Sequence, residues 1–170
     1  MIFVTVGTHE QPFDRLIKEV DRLIHSGIIK EEVFVQRGIG SIVPRNCQSA
    51  EVISHDDMME KVAEARVVIT HGGPGSIMLP FLMGKVPIVV PRQAKFNEHV
   101  DNHQMDFTRH LESGKKIIAV YEIETLEYKI INYDRFSKEL DIQISHSAEL
   151  ERLIENLKRY TKGIARRTYA

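Results

Sequence analysis

The stretch VVITHGGPGS, residues 67–76, decides the fold. Val67 to Thr70 is a β-branched apolar run, the composition of a strand covered on both faces. It enters a loop with glycine at 72, 73 and 75. A nearly all-apolar stretch, Ile77 to Met83, comes next with the character of a helix buried in a core. Glycine removes side chains where backbone must approach something closely. A helix that opens straight after the loop offers free N–H groups and the positive end of its dipole, which favour an anion. One reading makes His71, Gly72, Gly73, Gly75 and Ser76 a phosphate cradle. The other makes the loop a tight turn whose glycines serve packing alone. The number of glycines favours the cradle. No Gly-Lys-Ser/Thr comes after it, so this is not a Walker A loop, and the spacing is not GxGxxG.

On both sides of this stretch the same alternation repeats. Ile2 to Val6 is a short apolar strand ending at Gly7. Phe13, Leu16, Ile17, Val20, Leu23 and Ile24 recur at helical spacing, and Gly27 closes that helix. Val33 to Gln36 is a second strand, and a weaker one is expected at Glu51 to Ile53. Ser54 with Asp57 three residues on resembles a capping box opening a helix. Pro87 to Val90 and Lys116 to Val120 read as strands, with a loop and helix over Arg92 to about Glu112 between them. Helices are expected at 123–132 and 147–161, the last with Leu150, Leu153, Ile154 and Leu157 in phase. Strands that alternate with helices, and are apolar throughout, predict an α/β fold: a doubly wound parallel sheet of Rossmann-like type. Residues 1–162 form one domain and 163–170 a short tail.

Composition limits the function classes. The chain has 170 residues, 42% apolar and 28% charged, with 23 basic and 24 acidic side chains. A net charge of −1 argues against a general nucleic-acid binder. The single cysteine, Cys47, excludes an internal disulfide and suggests a cytoplasmic chain. No run of 18 apolar residues predicts a membrane span, and the N-terminus lacks the pattern of a signal peptide.

In open α/β sheets, ligands bind beyond the carboxyl ends of the strands. Two more loops there carry chemistry. In Gly7-Thr8-His9-Glu10, Thr8 can donate to a phosphate. His9 is a candidate general acid/base because imidazole titrates near neutrality, although a loop histidine is more often structural. In FNEHVDNHQ, residues 96–104, Asn97, Glu98, His99, Asp101, Asn102, His103 and Gln104 can meet sugar hydroxyls and phosphate, or form no more than a polar, solvated helix start. His99 and His103 share a helical face, as two zinc ligands could, but HExxH is missing and no metal site is expected.

At these residues the chain resembles a known family. VITHGGPGSIMLPFLMGKVPIVVPR followed by EHVDNHQ is similar to the C-terminal, nucleotide-sugar-binding domain of family 28 glycosyltransferases. The start, MIFVTVGTHEQPFDRLIKEVD, resembles the small subunit of two-subunit bacterial exopolysaccharide and capsule glycosyltransferases. The resemblance implies the C-terminal half of a GT-B fold and a metal-independent hexosyltransferase without a cofactor. It implies transfer of a sugar from a UDP-sugar to a polyprenyl-diphosphate-linked acceptor. The acceptor half would be a membrane-anchored partner that holds this chain at the inner face of the cell membrane. Gly7 and Thr8 would border the diphosphate, and His71 to Ser76 would hold phosphates and ribose or sugar. Arg92 would lie where the family places loop backbone near uridine, and His103 and Gln104 at the donor sugar. Many relatives carry Glu-Ala in the helix after the glycine loop, where the glutamate holds the ribose; here Leu79-Pro80 stands there. The ribose contact then falls to Glu98 or Asp101, or is missing. That departure keeps a second hypothesis open, an enhancer that binds no donor. A stand-alone domain acting on a soluble substrate is a third. A partner is expected to cover Tyr160, Arg166, Arg167 and Tyr169, since arginine and tyrosine are common interface anchors.

Overall fold

The computed structural model describes residues 1–140. Six strands form one parallel sheet: β1 (Ile2–Thr5), β2 (Val33–Gln36), β3 (Gln48–Ala50), β4 (Val67–His71), β5 (Ile88–Val90) and β6 (Ile118–Ala119). Their order is β3-β2-β1-β4-β5-β6. Six helices connect or succeed them: α1 (Asp14–His25), α2 (His55–Glu64), α3 (Pro74–Leu82), α4 (His103–Ser113), α5 (Leu126–Ile131) and α6 (Tyr133–Glu139). The doubly wound expectation therefore holds.

Alternation along each strand sorts the core. Ile2 and Val4, Val67 and Ile69, and Ile88 and Val90 face one side, where they meet Leu16, Ile17, Val20 and Leu23 of α1. Leu126, Ile130 and Tyr133 complete that layer. On the other face Phe3 and Val68 pack with Val62 of α2. Val89 meets Ile77 and Phe81 of α3 and Phe107 and Leu111 of α4. Each such side chain contributes about 2 kcal/mol when fully buried, so this two-sided sheet is stabilised without cross-links.

Local signals set the ends. Ser54 Oγ accepts the Asp57 N–H at 3.0 Å and so caps α2, while Asp57 Oδ2 accepts the Ser54 hydroxyl at 2.6 Å instead of the backbone N–H of a full capping box. Gly27 takes φ +74°, and the N–H groups of Gly27 and Ile28 return to the Ile24 and Leu23 carbonyls. The weak strand expected at Glu51 to Ile53 lies earlier, at Gln48–Ala50, in register with Phe34 to Gln36. It is a polar edge strand, so no apolar pattern marks it, while Val52 and Ile53 draw the expectation downstream. Helix α3 opens at Pro74, three residues earlier than Ile77, because proline fits the first helical position. Helix α6 was not anticipated. Its Tyr133 donates to the Val86 carbonyl at 2.8 Å, and Phe136 packs on the core below α1.

Cys47 is half-buried, and burial together with Asp21 pushes its thiol up to about 11. It is an unreactive thiol at neutral pH. Among the described residues no helix is long and apolar enough to cross a membrane. The expected helix at 147–161 and the residues Tyr160, Arg166, Arg167 and Tyr169 lie outside the described residues.

Candidate functional site

Strand order reverses between β1 and β4, which are paired in register from Ile2↔Val67 to Thr5↔Thr70. Chain leaving β1 runs toward β2 and β3, and chain leaving β4 runs toward β5 and β6. Such a switch point opens a crevice at the carboxyl ends. Here a crevice of about 280 Å³ is lined by Gly7, Thr8, Gln36, His71, Gly73, Gly75 and Ser76, with Val52, Ile53 and Met58 as its apolar wall.

The glycines divide into two kinds. A Cβ on Gly7 would stand 2.6 Å from the His71 ring, and one on Gly73 would overlap His71 Nε2. A Cβ on Gly72 would press on Gln104 Cβ at 2.8 Å. Those three positions are required by packing. Gly75 is different: nothing lies within 4 Å of its Cβ position, and it is exposed at the crevice. In a helix it costs about 1 kcal/mol relative to alanine, with no gain inside the fold. Helix α3 also has no side-chain cap and no acidic residue in its first turn. Packing therefore accounts for Gly72 and Gly73 of the loop and leaves Gly75 without a role inside the fold.

His71 is enclosed between Gly7 and Gly73. Burial first, then the Arg92 charge, pushes it down to about 3, against a backbone hydrogen bond to Thr5. It is a neutral spacer. Because its folded pKa lies below the unfolded value near 6.5, the unfolded chain binds its proton first as pH falls. Stability is undiminished above pH 6.5 and declines below it, by about 2 kcal/mol at pH 5. Urea midpoints between pH 7.5 and 5 should show this decline, and His71→Gln should flatten it. An equal slope in both proteins would place the acid sensitivity elsewhere.

Gln36, at the end of β2, is a site residue that sequence reasoning missed. It is 1% exposed. Its Oε1 accepts from Thr5 Oγ1 at 2.7 Å and from the Gly7 N–H at 3.1 Å. Its Nε2 donates to the Gly7 and Glu51 carbonyls at 3.0 and 2.7 Å. The first glycine turn is thus held from both sides. The available signal was a lone amide closing the apolar run VFVQ.

The Arg92 side chain is fully buried and held by backbone carbonyls, so only the backbone at this position is left to meet a ligand. Nη1 donates to the Gln11 and Glu98 carbonyls at 2.6 and 3.0 Å, and Nη2 to the Val6 carbonyl at 2.9 Å. The guanidinium lies 4.8 Å from the Phe13 ring centroid. Burial lowers its pKa to about 10, and Glu98 opposes that. Glu98 is likewise consumed by structure. It is 3% exposed, pairs with Arg15 at 2.8 and 3.0 Å, and accepts the Gln93 N–H at 3.0 Å. It cannot hold a ribose. Arg15, its partner, had no marker in the sequence beyond a charge on α1.

Of the remaining expected residues Thr8 lines the crevice, and the others lie on the neighbouring loops and at the start of α4. The rings of His9 and His99 lie 4.6 Å apart. Asp101 Oδ1 accepts the His103 N–H at 3.0 Å at the start of α4. Gln104 Oε1 accepts the Arg92 N–H at 3.1 Å, so this side chain abuts the glycine loop. Asn102 Oδ1 accepts the Ala94 N–H at 3.1 Å and shapes the loop. Thr8 is exposed on the crevice rim. Leu79 packs beside Phe3 and Val62 on α2, and α3 continues through Pro80, so this helix brings no carboxylate. Among the described residues no group of three or more His, Cys, Asp or Glu is placed to hold a metal ion.

The fold has known counterparts. MurG of Acinetobacter baumannii matches with a TM-score of 0.57 and 14% identity, over 92% of this chain and 49% of that one. The glycosyltransferase SnogD of Streptomyces nogalater matches at 0.52 and 19%, over 95% of this chain and 41% of that one. At such identities the likeness shows the fold alone, and the chain spans about half the length of either structure or less. No curated protein matches its sequence. The family model for the "Glycosyltransferase family 28 C-terminal domain" matches residues 1–157. A match over so much of the sequence, on a fold and crevice of this form, means that the chain belongs to the family 28 glycosyltransferase C-terminal domains.

Proposed function

We propose that this chain is the donor-binding half of a glycosyltransferase that takes its sugar from a UDP-sugar. The observation that carries the reading is Gly75, an open glycine at the N-terminus of α3 facing the crevice between β1 and β4. A diphosphate there meets the Gly75 N–H, the hydroxyls of Thr8 and Ser76, and the helix dipole. When the acceptor hydroxyl attacks the sugar C1, the bond from C1 to the diphosphate oxygen breaks and negative charge grows on that oxygen. Fixed donors aimed at it lower the barrier without a metal ion. The acceptor's proton goes to a base supplied by the acceptor half. His103 and Gln104 are the proposed contacts of the donor sugar.

The acceptor half is proposed to be a second, membrane-anchored polypeptide, because the first 21 residues resemble small subunits of split enzymes. Its acceptor is a polyprenyl-diphosphate-linked saccharide in polysaccharide synthesis, and this chain is held at the inner membrane face through it. Titrating UDP into the chain, and into the chain with its partner, tests the donor site. Binding in the micromolar range is expected, about −8 kcal/mol or weaker. Failure of both samples to bind UDP would remove the reading.

The packing of Leu79 against α2 favours one alternative, an enhancer that raises a partner's activity and binds no donor. In that case UDP binds the partner alone as tightly as the complex.

A further inference from the structure

His9 and His99 come from two different loops, yet their rings lie 4.6 Å apart, tilted by 43°. In each ring Nδ1 accepts the backbone N–H two residues on, from Gln11 at 3.2 Å and from Asp101 at 3.3 Å. For His9 that bond sets the tautomer: the neutral ring carries its proton on Nε2 and can donate there. The two rings differ in how they accommodate a second proton. His99 Nδ1 lies 3.1 Å from Asp101 Oδ1, so a proton on that nitrogen has a carboxylate to donate to. His9 Nδ1 has only the Gln11 N–H there and would lose that bond.

The charged groups around the pair are Arg92 at the end of β5, His71 on β4, Glu10 beside His9, and Asp101 and His103 at α4. Burial, His99 and Arg92 hold His9 below its ordinary value, against Glu10 and Asp101. His9 is next to Thr8 on the crevice rim, and both rings act electrostatically on His71, which lines that crevice. The empty pair therefore sits beside a buried cation, where a further positive charge is opposed. A phosphate anion reverses the sign of that environment, and an opposite charge within about 6 Å favours the protonated ring.

We propose that His9 and His99 are an anion-contacting element of the site, and that an arriving nucleoside diphosphate draws one proton from solvent onto the pair, held by His99 with Asp101 as counter-ion. This rests on the donor-site reading and extends it to a named proton and its carrier. Anion binding and proton binding then strengthen each other reciprocally.

The test is calorimetric titration of UDP at pH 7.5 in two buffers of different ionisation enthalpy. The terminal phosphate of UDP, with a pKa of about 6, is almost fully ionised there. Net proton uptake on UDP binding is expected. His99→Asn should bring uptake near zero and weaken UDP about fivefold, and Asp101→Asn should reduce uptake. His99→Gln serves as a second variant, and circular dichroism checks that each is folded. No uptake by the wild type, or equal uptake by His99→Asn, overturns the proposal alone. UDP failing to bind the chain and its complex overturns the donor site and this proposal with it.

Discussion

Gly75→Asp is expected to weaken UDP binding at least a hundredfold while leaving the chain as stable as before, or slightly more so. The two effects have opposite signs because they act through different states. Gly75 is the second residue of α3, after Pro74, and its Cβ direction is open. An acidic residue there suits the helix dipole by about 0.5 kcal/mol, and removing a helical glycine adds up to about 1 kcal/mol. A diphosphate at the same helix end meets the new carboxylate instead of open space. Two unit charges 4 Å apart near a protein surface repel by about 4 kcal/mol, and 2.7 kcal/mol already corresponds to a hundredfold. Gly73 cannot serve in this test. A side chain there collides with His71, so lost binding would only report lost folding. Denaturation midpoints and UDP titration on the same Gly75→Asp sample decide the matter. A folded variant that binds UDP as tightly as the wild type would show that the anion does not sit at α3.

The fold was legible because its signals are local and redundant. Each central strand is an apolar run, each run ends at a glycine or polar turn, and the first helix carries an unbroken core face. Where legibility failed, the reason was a long-range partner. β3 exists because Phe34 to Gln36 present unpaired backbone to Gln48–Ala50, and no property of Gln-Ser-Ala announces that. The site obeyed the same rule. His71, Gly73, Gly75, Ser76 and Thr8 line the crevice because their loops continue directly from strand ends. Arg92 was placed at the site by the family resemblance, and Glu98 by its position in the polar run that comes after a strand end. Their actual partners are the Val6 and Gln11 carbonyls and Arg15, far away in sequence, and spacing says nothing of such contacts. Gln36 was hidden for the same reason. The glycine loop was read as one object, and only the surroundings of each Cβ position separate Gly75 from Gly7, Gly72 and Gly73.

Arg92→Met is expected to lower stability by about 3 kcal/mol and to weaken UDP binding through the loops it joins. The substitution nearly preserves the stem, so Phe13 keeps a neighbour. Two effects compete. Methionine removes a buried cation, whose desolvation already costs enough to lower its pKa to about 10, and that favours the variant. It also strips donors from the Val6, Gln11 and Glu98 carbonyls in a closed interior. Each buried carbonyl left without a partner costs about 1–3 kcal/mol, so three outweigh the relief. Glu98 keeps Arg15, which limits the damage to its side chain. The loss is also directional. Val6 and Gln11 bracket the loop with Thr8 and His9, and Glu98 belongs to the loop with His99. Arg92 is the group that ties the two loops together, so it acts as a positioning residue, not as a ligand contact. Arg92→Lys restores a charge but not the three-way fork of donors, and should recover less than half of the stability. Urea denaturation of both variants gives the comparison. A methionine variant as stable as the wild type would show that water or backbone adjustment satisfies those carbonyls and that the clamp is dispensable. A variant that stays folded, yet loses UDP affinity while His9 and His99 remain chemically intact, would locate the cost in loop placement.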